Sequence, residues 1–122
     1  MSNLQEARPM LYSEGVRTGR ITKEQFVAVT ATNAAKLFGL YPRKGTIAVG
    51  SDADIVLWDP NDTRMIEDEA MLSRSGFSIY KGWKVTGWPR TTLRRGEIVY
   101  DRGSVIGRAG SGQVIHRARW QR

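Results

Sequence analysis

The chain has 122 residues, 40% of them apolar, with 13 glycines, no cysteine and a formal net charge of +7. That length suits one domain or part of a larger one, and the absent cysteines exclude disulfides and thiolate metal sites. No apolar run approaches the roughly 18 residues of a membrane helix and no signal-peptide pattern opens the chain, so a soluble, cytoplasmic protein is the default expectation.

The first dozen residues, MSNLQEARPMLY, show no clear period and are interrupted by Pro9. Helix signals follow in ITKEQFVAVTATNAAKLFGL. Thr22 with Gln25 three residues on forms a capping-box pattern, and Phe26, Val29 and Thr30 share one face. Thr32 or Asn33 reads as a second cap opening a short helix through Phe38, which Gly39 ends in the left-handed conformation.

From Tyr41 the texture changes, with Pro42, Gly45 and Gly50 as punctuation. Ile55 to Trp58 reads as a compact strand ended by Asp59-Pro60, and Arg64 to Glu67 as another short one. Residues 68–82 read as a loop with at most one strand. Thr91 to Arg94 pairs with Glu97 to Tyr100 through Arg95-Gly96, and a second turn at Asp101-Arg102-Gly103 leads into Ser104 to Ile106. The expected fold class is α+β: short helices, then antiparallel strands of a small, incomplete β-sandwich. Helices first and strands after, with too few strands for two sheets, suit a piece of a larger structure better than a self-sufficient domain.

The tail from Arg102 carries arginines 102, 108, 117, 119 and 122 and no acid, together with Gly103, Gly107, Gly110 and Gly112. Little regular structure is expected there. A nucleic-acid arm is one reading, but only Trp120 is at hand to stack on a base, so a solvated or subunit-bridging tail is preferred and nucleic acid is not expected as a partner.

Catalytic groups are few. His116 is the only histidine and lies far in sequence from the acids, so a surface residue is the better reading than a ligand or general base. Zinc wants three or four ligands, of which the chain offers one imidazole and no thiolate. No nucleophile-elbow, Walker or dinucleotide fingerprint is present. Asp52, Asp54 and Asp59 invite a calcium reading, but a calcium loop starting at Asp52 would place Val56, Trp58 and Pro60 at ligand positions. The mechanical reading is better: Gly50 takes a positive φ, Ser51 or Asp52 holds the turn through its own backbone, Ala53 fits beneath neighbouring backbone, and Asp54 leads into a strand.

The run KGTIAVGSDADIVLWDP (Lys44 to Pro60) resembles the element that closes the chain of amidohydrolase-superfamily enzymes. RPMLYSEGV (Arg8 to Val16), GRIT (Gly19 to Thr22), TATNAAKLFGLYPRKG (Thr30 to Gly45) and YKGWKVTGWPRTTLRRGEIVYDRG (Tyr80 to Gly103) extend the likeness. Together they resemble the C-terminal part of hydantoinases and dihydropyrimidinases, from about Leu4 to the GSGQ of the tail.

This resemblance implies a metal-bearing (β/α)8 barrel with a β-sandwich built from both ends of the chain. Residues 1–40 would be terminal barrel helices, with Ser13 to Gly39 in the last of them. Residues 41–106 would be the C-terminal share of the sandwich and 107–122 a basic tail. The family hydrolyses a ring C–N bond of a cyclic amide with two metal ions, typically zinc, that activate a bridging hydroxide. Its ligands, an HxH pair, a carboxylated lysine, two further histidines and an aspartate, lie upstream of the matched region. The family's substrate-binding asparagine also lies just ahead of it, and Asn3 lacks the glycine-rich context to inherit that role. No catalytic, substrate-binding or metal residue is therefore expected in this chain. The expectation is a C-terminal fragment of such a hydrolase, inactive alone, with a structural and oligomerising role and with another copy or the missing barrel portion as partner. The alternatives are a stand-alone interaction module with a basic tail, or one chain of a split hydrolase.

Overall fold

A computed structural model describes residues 4–117. The readings placed on Asn3, Arg119, Trp120 and Arg122 lie outside the described residues. The chain divides into two compact units, Met1–Phe26 with Trp58–Trp88, and Val27–Leu57 with Pro89–Arg122. No helix among the described residues is long and apolar enough to cross a membrane.

In the first unit, α1 (Ala7–Leu11) passes directly into a π-helical stretch, Tyr12–Val16. Pro9 does not interrupt this segment as the sequence suggested. It is the third helical residue, and the first four N–H groups of a helix have no intrahelical acceptor to lose. Strands β1 (Ile55–Met65) and β2 (Lys84–Arg94) contribute residues to both units. The core of the first unit is Ile66, Val85 and Trp88, with Met10, Met71 and Tyr80 against them. Ile66 N–H donates to the Trp83 carbonyl at 2.9 Å and Gly82 N–H to the Ile66 carbonyl at 2.8 Å, closing the intervening loop. That loop holds one 3₁₀ turn, Asp68–Ala70. Tyr12, Phe26 and Trp58 form a second apolar group, with ring centroids 5.2 to 5.7 Å apart.

Two sequence readings of the strands are corrected. Asp59-Pro60 does not end β1; the strand continues to Met65 and absorbs the short strand expected near Arg64. Proline is tolerated at a sheet edge, where a missing N–H need not break a ladder. β2 likewise begins at Lys84 rather than Thr91.

Helix α2 (Lys23–Val27) opens on the expected capping box. Thr22 N–H donates to Gln25 Oε1 at 2.8 Å and Gln25 N–H to Thr22 Oγ1 at 3.2 Å. A π-helical stretch, Ala28–Thr32, and α3 (Asn33–Leu37) follow without a break. Thr32 and Asn33 are therefore not a second cap: both have helical backbone, and the Thr32 hydroxyl donates to the Gly45 carbonyl at 2.7 Å. Gly39 ends α3 at φ +67°, with Leu40 N–H bonded to the Ala35 carbonyl and Gly39 N–H to the Lys36 carbonyl. That pair of bonds is a Schellman motif.

The sheet order is β1-β2-β3-β4, with β3 at Glu97–Asp101 and β4 at Ser104–Val105. β2 and β3 pair antiparallel from Arg94↔Glu97 to Thr91↔Asp101, with a bulge that leaves Val99 unmatched. Both hairpin turns are Arg-Gly pairs with positive φ at each residue, Arg95 (+50°) with Gly96 and Arg102 (+44°) with Gly103. Two positive φ values suit the right-handed twist of paired strands, which explains the tight two-residue loops. Beyond β4 the described tail has no regular element, as expected.

Candidate functional site

The acids singled out in the sequence converge on one lysine. The Asp52 carboxylate lies 2.9 Å from Lys44 Nζ and 3.0 Å from Arg43 Nε, and Lys44 Nζ also pairs with Asp54 Oδ2. The other Asp54 oxygen accepts the Arg95 N–H at 2.8 Å, and the Ala53 carbonyl accepts the Gly96 N–H at 3.0 Å. The aspartate loop is thus fastened to the first Arg-Gly turn. The turn itself is held differently from the sequence reading. Gly50 does take φ +89°, but Ser51 Oγ donates to the Pro42 carbonyl at 2.8 Å, and the Asp52 side chain bonds cations rather than its own backbone.

The electrostatics follow from this geometry. Hydrogen bonding to Lys44, helped by Arg43, holds the Asp52 carboxyl below the usual aspartate range against a smaller desolvation effect. For Asp54 desolvation is the largest influence and acts upward, but the Lys44 bond, the Arg95 N–H and the Lys44 charge together outweigh it and leave the pKa lowered. Desolvation likewise opposes the Lys44 charge, and the bonds and charges of Asp54 and Asp52 overcome it to raise the Lys44 pKa. Asp59 stands apart: its Oδ1 accepts the Asn61 N–H at 2.9 Å, an Asx turn inside β1.

A pair of zinc ions does not fit these donors. Asp52 and Asp54 present their oxygens to ammonium, guanidinium and backbone N–H groups, and His116, the one imidazole, is exposed in the tail. Among the described residues no three His, Cys, Asp or Glu side chains are grouped to hold a metal.

Two anchoring residues and one buried acid escaped the sequence reading. Ser13, buried in the π-helical stretch, accepts the Thr86 N–H of β2 on its Oγ at 3.2 Å. Ser111 receives Arg94 Nη2 on its hydroxyl at 2.6 Å and Arg95 Nη2 on its carbonyl at 2.9 Å, which holds part of the tail against the hairpin. Glu6 is fully buried, and among the described residues neither of its carboxylate oxygens has a hydrogen-bond partner. Nothing in the local sequence announces any of these contacts.

Burial is uneven between the units. Among the described residues, the buried apolar side chains Tyr12, Ile66, Val85 and Trp88 belong to the first unit and Ala35 to the second. The second unit leaves Val29, Leu37, Phe38, Ile47, Val56 and Leu57 exposed.

Comparison with known proteins identifies the family. The sequence profile of the amidohydrolase family matches residues 1–99. The chain is 48% identical over 116 residues to the D-hydantoinase of Ralstonia pickettii, covering 95% of this chain and 25% of that protein. It is 44% identical over 117 residues to the dihydropyrimidinase of Rattus norvegicus, covering 96% of this chain and 22% of the other. Among solved structures, the dihydropyrimidinase of Brevibacillus agri superposes with a TM-score of 0.90 at 44% identity, over 94% of this chain and 25% of that one. The chain therefore spans about a quarter of the length of the relatives it matches. It belongs to the amidohydrolase family, whose enzymes are metal-dependent.

Proposed function

We propose that this chain is the C-terminal structural portion of a hydrolase that opens a ring C–N bond of a cyclic amide, of the hydantoinase and dihydropyrimidinase type. In this reading residues 1–40 are helices from the end of the barrel, residues 41–106 the C-terminal share of a β-sandwich, and residues 107–122 a basic tail. The observation that carries it is the high identity over 95% of this chain against only 25% of the D-hydantoinase. The acids that a metal reading would recruit, Asp52 and Asp54, brace a loop against the Arg95-Gly96 turn instead. The two metal ions implied for a complete enzyme then belong with the other three quarters of such a protein, and this portion supplies scaffold. The test is hydrolysis of hydantoin and of dihydrouracil by the purified 122-residue chain with added zinc. No turnover is expected, and turnover by the chain alone overturns the reading.

One observation favours a second reading, an interaction module. The unit made of Val27–Leu57 and Pro89–Arg122 holds eleven Lys and Arg against four Asp and Glu, while the other unit is balanced at eight and eight. All of the net charge of +7 therefore lies in one unit. A polyanionic partner would bind with an affinity that falls steeply with salt and is lost on deleting Arg102 to Arg122.

A further inference from the structure

We infer that the Arg94-Arg95 pair at the tip of the first hairpin is a binding site for a phosphate group, held on the Nε–Nη2 edge of the Arg94 guanidinium. Ser111 is a neutral stand-in there, and the phosphate displaces its hydroxyl from Arg94. The site lies within the second unit and is independent of the hydrolase reading above.

A guanidinium presents its Nε–H and one terminal N–H side by side, a fork that matches two oxygens of a phosphate. In Arg94 only one prong of that fork is filled. Nη2 donates to Ser111 Oγ at 2.6 Å. The Nε beside it is buried and has no hydrogen-bond partner among the described residues. A hydroxyl offers a single oxygen and cannot serve both prongs, whereas a phosphate offers two or more. A buried donor left unmade carries its full desolvation penalty, and the penalty is larger on a charged group.

The charges converge as well. Arg95 Nη2 donates to the Ser111 carbonyl at 2.9 Å, so two guanidiniums meet at one uncharged residue. Two cations brought together repel unless an anion lies between them. The second unit has four acids, Asp52, Asp54, Glu97 and Asp101, and none accepts a hydrogen bond from either guanidinium. Lys44 holds Asp52 and Asp54, and Asp54 reaches Arg95 only through its backbone N–H. Asp101 accepts the Thr91 hydroxyl at 2.6 Å. Glu97 Oε2 stands 3.7 Å from Arg94 Nη2, beyond hydrogen-bond reach, with its side chain 61% exposed. From there it opposes a bound phosphate only weakly, because water screens it.

The Ser111 turn can yield to such a ligand. Ser111 N–H donates to the Arg108 carbonyl at 3.3 Å, Gly110 takes φ +76°, and the Ser111 hydroxyl bonds the same carbonyl. The hydroxyl therefore keeps an acceptor when Arg94 leaves it. Arg108, Ala109 and Gly110 are exposed and belong to no regular element, so moving the turn breaks no ladder. A phosphate–guanidinium pair, charged on both sides, replaces a bond charged on one side only.

The test is titration of the 122-residue chain with inorganic phosphate and, separately, with adenosine monophosphate, at constant ionic strength. Calorimetry and the arginine Nε–H resonances in nitrogen NMR are the readouts. Saturable binding with a Kd at or below about 1 mM is expected, with the Arg94 Nε–H resonance moving as the site fills. Tighter binding of the monophosphate assigns the site to a phosphate ester, and equal or weaker binding assigns it to the free ion; both support the site. Arg94→Lys keeps the charge but not the fork and should weaken binding at least about tenfold. Arg90→Lys, at an exposed arginine of the same strand, should not. Ser111→Ala removes the competing hydroxyl and should bind at least as tightly as the parent; weaker binding there overturns the displacement. An Arg94 Nε–H resonance that stays in place, or binding that never saturates, overturns the inference without any variant. Equal weakening by Arg94→Lys and Arg90→Lys, the behaviour of a diffuse positive surface, overturns it too and leaves the hydrolase reading untouched.

Discussion

Gly87 of β2 lies directly against the Tyr12 ring. A Cβ at position 87 would come within 2.6 Å of Tyr12 Cε1 and 3.0 Å of Trp58 Nε1. The backbone there has φ +104°, a region that L side chains rarely adopt. Steric overlap and backbone strain therefore act together, and the aromatic group of Tyr12, Phe26 and Trp58 cannot give way without opening. Gly87→Ala is expected to destabilise the chain by about 3 kcal/mol or more. Urea denaturation followed by tryptophan fluorescence measures this, and an unchanged midpoint would show that the ring does not occupy that position.

The Lys44 pairing sets a pH dependence whose sign can be worked out on each limb. Asp52 and Asp54 have lowered pKa values in the folded chain, so their contribution is present above the ordinary aspartate value of 3.8 and is lost as pH falls through the folded values. Lys44 has a raised pKa, so its contribution is present below the ordinary lysine value of 10.5 and is lost as pH rises through the folded one. Lys44→Met removes the shared cation and leaves two carboxylates side by side. Near neutral pH it should cost about 1 kcal/mol, since the group is partly solvated. The deciding readout is the slope of stability against pH on the acid side, which should flatten in the variant; an acid limb identical to the parent's would mean that the pairing contributes nothing in solution.

Thr22 and Gln25 satisfy each other's backbone N–H groups at the start of α2. Thr22→Ala removes the acceptor for Gln25 N–H and should cost about 1 kcal/mol, whereas Thr22→Ser keeps the hydroxyl and should stay near the parent. Thermal unfolding followed at the helical band separates the two. Equal losses for alanine and serine would assign the effect to the threonine methyl group.

What could be read in the sequence is what the chain settles over a few residues. The capping box, the Gly39 terminus and the Arg-Gly turns each join groups within about five positions, where residue type alone restricts the backbone. The second cap at Thr32 failed because its hydroxyl had a better acceptor, the Gly45 carbonyl thirteen residues on. Asp59-Pro60 looked like a strand end because proline removes a donor, and only the sheet order reveals β1 as an edge strand that can carry it. The Ser13 bond to Thr86, 73 residues away, has no local signature at all. Of the site, the likeness to hydantoinases was legible, but the capture of Asp52 and Asp54 by Lys44 was not, because the spacing of acids does not say which cation folds onto them.

Thr91 and Asp101 offer a last test, because they are both register partners and hydrogen-bond partners. They face each other across β2 and β3, and the buried Thr91 hydroxyl donates to Asp101 Oδ1 at 2.6 Å. The bond locks the hairpin one residue before the second Arg-Gly turn, whose Arg102 N–H donates to the Arg90 carbonyl at 2.8 Å. Thr91→Val keeps the shape and β-propensity and deletes only the donor, leaving a partly buried carboxylate one bond short. The expected cost is about 1.5 kcal/mol, in the range for a hydrogen bond to a charged group. Asp101→Asn keeps an acceptor for the hydroxyl and should cost less. Chemical denaturation of the two variants and their combination gives the coupling directly. A coupling indistinguishable from zero would show that β-branching at position 91, and not the bond, holds the hairpin in register.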